Sequence, residues 1–354
     1  MSREMRSANE RGDEVRRMIV SPEIAQAESK VAAEARASTP RPTPECDRAE
    51  PRARDLPAEN LYLIGRPRLK DCLQFVRRHA VNPPSDGAIA EEWQAANECV
   101  RRLEREEAGM ADSPSIRKMG SEHEPLLIEC LKDPLVRHGF NTVPTEIAIA
   151  ELDRLVVYQK RIDLTYAAWL EGKLGSTPSE ERIFRTCLPY DHPQPPVKWS
   201  RVDEKQFVFM SPSNDLRFLG TMELHAGRIK DYPPPGDVVG VVGIAVGFGS
   251  NFMNALYAEN RLILNNGSHR AYALRKLGIT HVPCIIQHIS SRDELDAVAS
   301  SEVRSDPDLY LKHPRPMMLK DYFDPRLHKI MPVHRRLRQV SVRLEVDEHY
   351  VPVL

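Results

Sequence analysis

Apolar positions recur with helical spacing through the first half of the chain and cluster into short strand-like runs in the second. Leu69, Cys72, Leu73 and Val76 fall at i, i+3, i+4 and i+7. Trp93, Ala96, Val100 and Leu103 make a second stripe. Leu126, Leu127, Cys130 and Leu131 make a third, which Pro134 is expected to stop. Ala148, Leu152, Leu155 and Val156 read as a fourth. Asp163 is placed to cap a fifth helix that carries Leu164, Ala167 and Ala168 and ends at Gly175. Thr177-Pro178-Ser179-Glu180 reads as a capping box with proline at the first helical position, opening a sixth helix through Ile183, Phe184 and Cys187. Stripes of this kind serve a core far more often than a site. The basic runs Arg77-Arg78-His79 and Arg101-Arg102 could face nucleic acid, but Glu104, Glu106 and Glu107 beside the second favour a solvated face.

The pattern changes after a proline-rich link at 189–200, where Asp191 and His192 sit among prolines in what reads as a rigid surface loop. Gln206–Met210, Phe218–Leu224 and Val238–Val246 read as strands, followed by Gly247-Phe248-Gly249. Leu262–Leu264 and Val282–Ile286 flank a helix that runs to Gly278, and Ser291–Glu294 is another capping box. Val340, Val342, Leu344 and Val346 alternate with polar residues in a last strand, which either joins a sheet or mediates a homo-oligomer. Arg335, Arg336 and Arg338 form a basic patch offset by Glu345, Asp347 and Glu348. The expected class is α+β. The expected organisation is a disordered or loosely helical tail at 1–57, a helical domain at 58–188, the link at 189–200, a mixed-sheet domain at 201–303 and a C-terminal extension at 304–354.

Composition narrows this little. The 354 residues carry a formal net charge of −1, so no global field draws the chain to nucleic acid or membrane. No apolar run approaches the ~18 residues needed to span a bilayer. The six cysteines are scattered without a C-x-x-C pair, which suits reduced core thiols in a cytoplasmic protein and argues against a metal site.

The chemistry concentrates at Asn265-Asn266-Gly267-Ser268-His269-Arg270. Asn and Gly tolerate positive φ, and Ser268 is suited to cap the helix that follows. Backbone N–H groups at a helix start point outward, and the dipole adds partial positive charge. Asn266, Gly267, Ser268, His269 and Arg270 together read as an anion cradle, most simply for phosphate. A glycine-rich turn at 247–249 could face it across a nucleotide, although a plain bend explains those glycines equally well.

Asn266 through Leu274, followed by Leu277-Gly278-Ile279 and Val282-Pro283, resembles the signature of the ParB/sulfiredoxin superfamily, over about residues 205–300. The resemblance implies a small α/β domain that binds a nucleotide with this turn on its phosphates. The cofactor it implies is ATP or another nucleoside triphosphate with Mg²⁺. Ser268 stands where sulfiredoxins carry their nucleophilic Cys, and a hydroxyl cannot reproduce thiolate chemistry, so sulfinic-acid reduction is not expected. Three readings stay open. One is a nucleotide-dependent phosphotransferase or NTPase acting on a small-molecule acceptor, with Glu223 or Asp231 as base or Mg²⁺ ligand. Another is a nucleotide-gated, partition-like protein associated with DNA, disfavoured by the neutral charge and by the absence of room for a helix-turn-helix. The last is a non-catalytic protein that binds a protein partner.

Overall fold

The computed structural model describes residues 58–190, 195–213, 215–225 and 236–352. The chain divides into Met1–Leu56 and Pro57–Leu354. Only the second contains described residues, so the expected tail lies outside them, as do Asp191, His192 and Asp231.

The class is α+β, with helices packed on several small sheets. In chain order the elements begin with β1 (Ala58–Leu63), α1 (Leu69–His79), α2 (Asp86–Glu106) and β2 (Ile116–Lys118). There follow α3 (Glu124–Lys132), α4 (Pro134–Gly139), β3 (Thr145–Glu151), β4 (Arg161–Asp163), α5 (Leu164–Leu174) and α6 (Glu180–Cys187). Next come the strands β5 (Lys198–Arg201), β6 (Gln206–Ser211), β7 (Leu216–Leu224), β8 (Val241–Phe248), β9 (Asn254–Ala258) and β10 (Arg261–Asn266). The chain then runs through α7 (Ser268–Lys276), β11 (His281–His288), α8 (Arg292–Val298), α9 (Ser301–Ser305), α10 (Asp308–Leu311), β12 (His328–Val333) and β13 (Arg338–Arg343).

The central sheet has the order β10-β9-β11-β3-β2. β11 is its spine, parallel to β9 and antiparallel to β3. Val282 through Gln287 are all buried, as expected of a strand paired on both edges and covered on both faces. Glu259 and Asn260, both at positive φ, make the tight turn between β9 and β10. One large core joins Leu61, Val100, Ala148, Ile162, Phe184, Leu262, Leu274 and Ile285. A smaller one lies around Val156, Leu256, Ile263, Leu295 and Met318.

Sheet pairing crosses the boundary expected at 189–200. β3 lies between β11 and β2, and β1 pairs with β12 on one side and β4 on the other. Residues 58–188 therefore share a core with the second half and hold four strands rather than helices alone. The expected fourth helix is strand β3 followed by a buried irregular segment through Leu152, Leu155 and Val156. Pro134 opens α4 at its first position instead of only stopping α3, with Asp133 as its cap. Ser179, not Thr177, caps α6. Asp163 caps α5, and Gly175 ends it at φ 77°. The last expected strand is β13, which adds to β6 and holds Val340 and Val342, but it ends at Arg343, before Leu344 and Val346.

A buried ion cluster fastens the C-terminal part. Arg315, fully buried, donates from Nη1 and Nη2 to the two oxygens of Asp321 at 2.7 and 2.6 Å. Its Nε donates to Glu107 at the end of α2 at 3.0 Å. Both partners of the buried pair are multiply bonded, the condition under which such a pair is tolerated. The five cysteines within the described residues are buried and free. Among the described residues no helix is long and apolar enough to cross a membrane.

Candidate functional site

The turn between β10 and α7 is built by its own asparagines. Asn265 Nδ2 donates to Asn254 Oδ1 at 3.1 Å, and its carbonyl accepts the Tyr158 hydroxyl at 2.7 Å. Asn266 Nδ2 donates to the Ser250 carbonyl at 2.9 Å. Gly267 is the N-cap, at φ 107°, and a Cβ there would meet Met253 Cγ at 3.1 Å. Glycine is thus required both by conformation and by space. Ser268, expected as the cap, is the first helical residue and is buried. No side chain caps α7, so the leading amides of Ser268, His269 and Arg270 have no partner within the helix.

Arg270 and His269 both face inward. Arg270 Nη1 donates to the carbonyls of Thr186, Cys187 and Asn251 at 3.3, 3.2 and 2.6 Å. The guanidinium therefore pins the end of α6 and the loop before β9 onto α7, in place of the free phosphate fork expected from sequence. His269 Nε2 accepts the backbone N–H of Asp163 at 3.0 Å, so the neutral ring carries its proton on Nδ1. Burial pushes the imidazole down to about 4, with Asp163 acting against the shift and Arg161 and Arg270 adding to it. At neutral pH His269 is an uncharged Nδ1–H donor.

The cation that sequence reasoning missed is Arg161. It lies on β4, two residues before Asp163 on the same strand face, and near enough to His269 to disfavour its protonation. It is only partly exposed, and burial lowers its affinity for the proton. Among the described residues no carboxylate or carbonyl accepts from its guanidinium. Nothing in the sequence distinguishes Arg161 from its neighbours, because the lack of a partner is a tertiary property.

Beside these groups lies an exposed aromatic pair on the first turns of α5. Tyr166 and Trp169 stack with centroids 5.5 Å apart, and Tyr166 meets the His269 ring edge-on at 5.6 Å. Tyr166 is 45% and Trp169 56% exposed, open enough to receive a planar ligand.

The two glycine-rich turns do meet, but through direct contacts. Asn266 and Arg270 bond the carbonyls of Ser250 and Asn251, and the Arg217 guanidinium fills the space a Cβ at Gly249 would need. Glu223 is not part of the site. It is exposed on β7 opposite Val242, whereas the end of the ribbon that adjoins the turn is Leu216 opposite Phe248. The seven residue steps from Leu216 to Glu223 correspond to about 23 Å. The carboxylate that the structure does bring to the turn is Asp163, and its side chain is engaged as the α5 cap.

Elsewhere, Glu122, His123 and Glu180 gather ligand-type atoms within 4.8 Å of one another. His123 Nδ1 lies 3.2 Å from a Glu122 oxygen and its Nε2 3.8 Å from a Glu180 oxygen. Comparison with family models, with curated proteins and with solved structures finds no match to this chain.

Proposed function

We propose that this chain is a nucleotide-binding protein of the ParB/sulfiredoxin kind, holding the phosphates at the start of α7. The observation that supports this best is Arg161, a partly buried guanidinium that makes no hydrogen bond or close ion pair among the described residues and has Asp163 as a nearby negative charge, beside a helix start that no side chain caps. A phosphate there would accept from Arg161, from His269 Nδ1–H and from the first amides of α7. The exposed Tyr166–Trp169 pair favours a nucleotide over free phosphate, since a base can stack on it. The strand, glycine turn, helix and strand of β10, α7 and β11 follow the order that the family resemblance implies.

Binding is supported further than catalysis. Glu223 is too remote to act as base or to hold Mg²⁺ against these phosphates, and Asp163 is occupied as a cap. A nucleotide-gated switch or interaction role therefore ranks above phosphoryl transfer to a small acceptor. A DNA-associated role gains nothing from the near-neutral charge. The buried free cysteines suit a cytoplasmic setting.

The test is calorimetric titration of ATP, ADP, CTP and GTP with Mg²⁺ into wild type and Arg161→Ala. Removing a charge-assisted contact is expected to weaken binding by about 1.5–3 kcal/mol, roughly ten- to hundredfold in Kd. Wild type that binds no nucleotide, or a variant that binds as well as wild type, sinks the reading.

A further inference from the structure

β7 and β8 form a two-stranded ribbon that pairs with no third strand among the described residues. Its two outer edges are built differently. β7 carries Arg217 and Glu223, holds Gly220 at φ 138°, and bulges at Leu219, where the register shifts between Phe218 and Gly220. Arg338 from the neighbouring β13 also donates to the Leu216 carbonyl at 3.2 Å. Charges, bulges and side-chain cover are the usual means of blunting an exposed edge. Among the described residues β8 has none of them. Val241-Val242-Gly243-Ile244-Ala245-Val246-Gly247-Phe248 contains no ionisable group and no proline, and it runs without an inserted residue.

The two faces of β8 are also sorted by size. Val242, Ile244, Val246 and Phe248 share one face, and Val241, Gly243, Ala245 and Gly247 the other. On the small face the long side chains of β7 lie across the glycines. A Cβ on Gly243 would stand 3.0 Å from Met222 Cγ, and one on Gly247 3.1 Å from Leu219 Cδ1. The outer edge is therefore uncharged and small-sided on one face, with its row of backbone N–H and C=O groups facing away from β7.

We propose that β8 pairs antiparallel with β8 of a second copy of this chain, joining two ribbons into a four-stranded sheet across a two-fold axis. Antiparallel self-pairing is isologous, so one edge supplies both halves of the interface. Centred on Ala245, it sets Ile244 against Val246 and Gly243 against Gly247, large beside large and small beside small. No like charges are brought together, because neither edge carries any. A partner strand with charged residues would gain no opposite charge here. An uncharged strand of matched size is the better complement, and the second copy supplies one. The pairing also corrects a weakness, since a two-stranded ribbon alone is at best marginal in water and four strands are not.

The experiment is sedimentation velocity on the full 40.3 kDa chain from about 1 to about 100 µM, for wild type, Val242→Lys and Ile330→Lys. Val242 is 69% exposed and Ile330, on β12, is 52% exposed, so neither change touches the core, and circular dichroism should be the same for all three. The expected result is a wild-type species of twice the monomer mass, a dimer Kd raised at least about tenfold in Val242→Lys, and no change in Ile330→Lys. A wild type that stays monomeric overturns the proposal. So does a Val242→Lys dimer as tight as wild type, or an equal loss in Ile330→Lys.

Discussion

His269 Nε2 accepts the backbone N–H of Asp163 at 3.0 Å, and this bond ties the start of α7 to the start of α5. It requires an unprotonated Nε2. With the folded imidazole pushed down to about 4 from 6.5, the unfolded chain binds the extra proton between those values. Stability from this group is thus fully present above pH 6.5 and is lost as pH falls toward 4, by up to about 3 kcal/mol. Denaturant melts from pH 7 to pH 4 should show that loss in wild type. His269→Gln keeps an acceptor for Asp163 without titrating, so its stability should fall less over the same range. Parallel curves would remove His269 as the cause.

Arg270 is a fastener before it is a ligand. Arg270→Ala takes the buried guanidinium donor from the carbonyls of Thr186 and Asn251 and leaves that of Cys187 with the Met253 N–H alone. A loss of about 2–4 kcal/mol is expected in urea denaturation. Arg161→Ala, which leaves no acceptor unpaired, should unfold within about 0.5 kcal/mol of wild type. Equal stability losses would mean that Arg161 has a structural partner after all.

Gly267→Ala tests the turn itself. The residue must hold φ 107° while its new Cβ meets Met253 Cγ at 3.1 Å, and a strain of about 1–3 kcal/mol is expected. Gly139→Ala, where a Cβ meets nothing within 4 Å and φ is not positive, is the matched control and should be near neutral. The comparison is read as a shift in Tm.

Trp169→Ala separates a nucleotide from its phosphates. Stacking on the exposed Tyr166–Trp169 pair predicts a loss of about 1–3 kcal/mol for a nucleoside triphosphate and none for inorganic triphosphate. Competition of the two ligands against a fluorescent nucleotide reads the difference. The same loss for both would place the aromatic pair outside the site.

Asp321→Ala should be among the most damaging single changes. It strands the fully buried Arg315 guanidinium, which then keeps only Glu107 and a carbonyl, and about 3–5 kcal/mol is at stake. Asp324→Ala, three residues on and paired to Arg326 at the surface, should cost less than about 1 kcal/mol. Chemical denaturation of the two variants side by side checks the contrast.

The elements that can be read from sequence are those with local causes. Asp163 and Gly175 bound α5 because capping and the left-handed exit are properties of single residues. The asparagines and glycine at 265–267 announce their turn for the same reason. The segment Leu152–Val157 does not, because its apolar side chains are buried in irregular backbone between β3 and β4, and apolar spacing alone cannot tell that from a helix. Glu223 shares a chain segment with the turn but lies at the far end of a ribbon, a separation that only the β7–β8 register reveals. Arg161 and Tyr166 reach His269 through the packing of β4 and α5 on α7, with Trp169 stacked on Tyr166, and no spacing rule carries that information.

The pairing of β1 with β12 has a consequence for how the chain is made. Ala58 finds its sheet neighbour at Val333, and β3 finds its neighbour in β11, so the earliest strands leave the ribosome long before their partners exist. At about 5–20 residues per second, β1 waits roughly 15–50 s for β12. During that interval Leu61, Leu63, Ala148 and Ala150, all core residues in the finished fold, have no completed sheet to enter. Nascent chains of this protein are expected to need a chaperone's cover until residue 333 is out, and to fold as one late event rather than half by half.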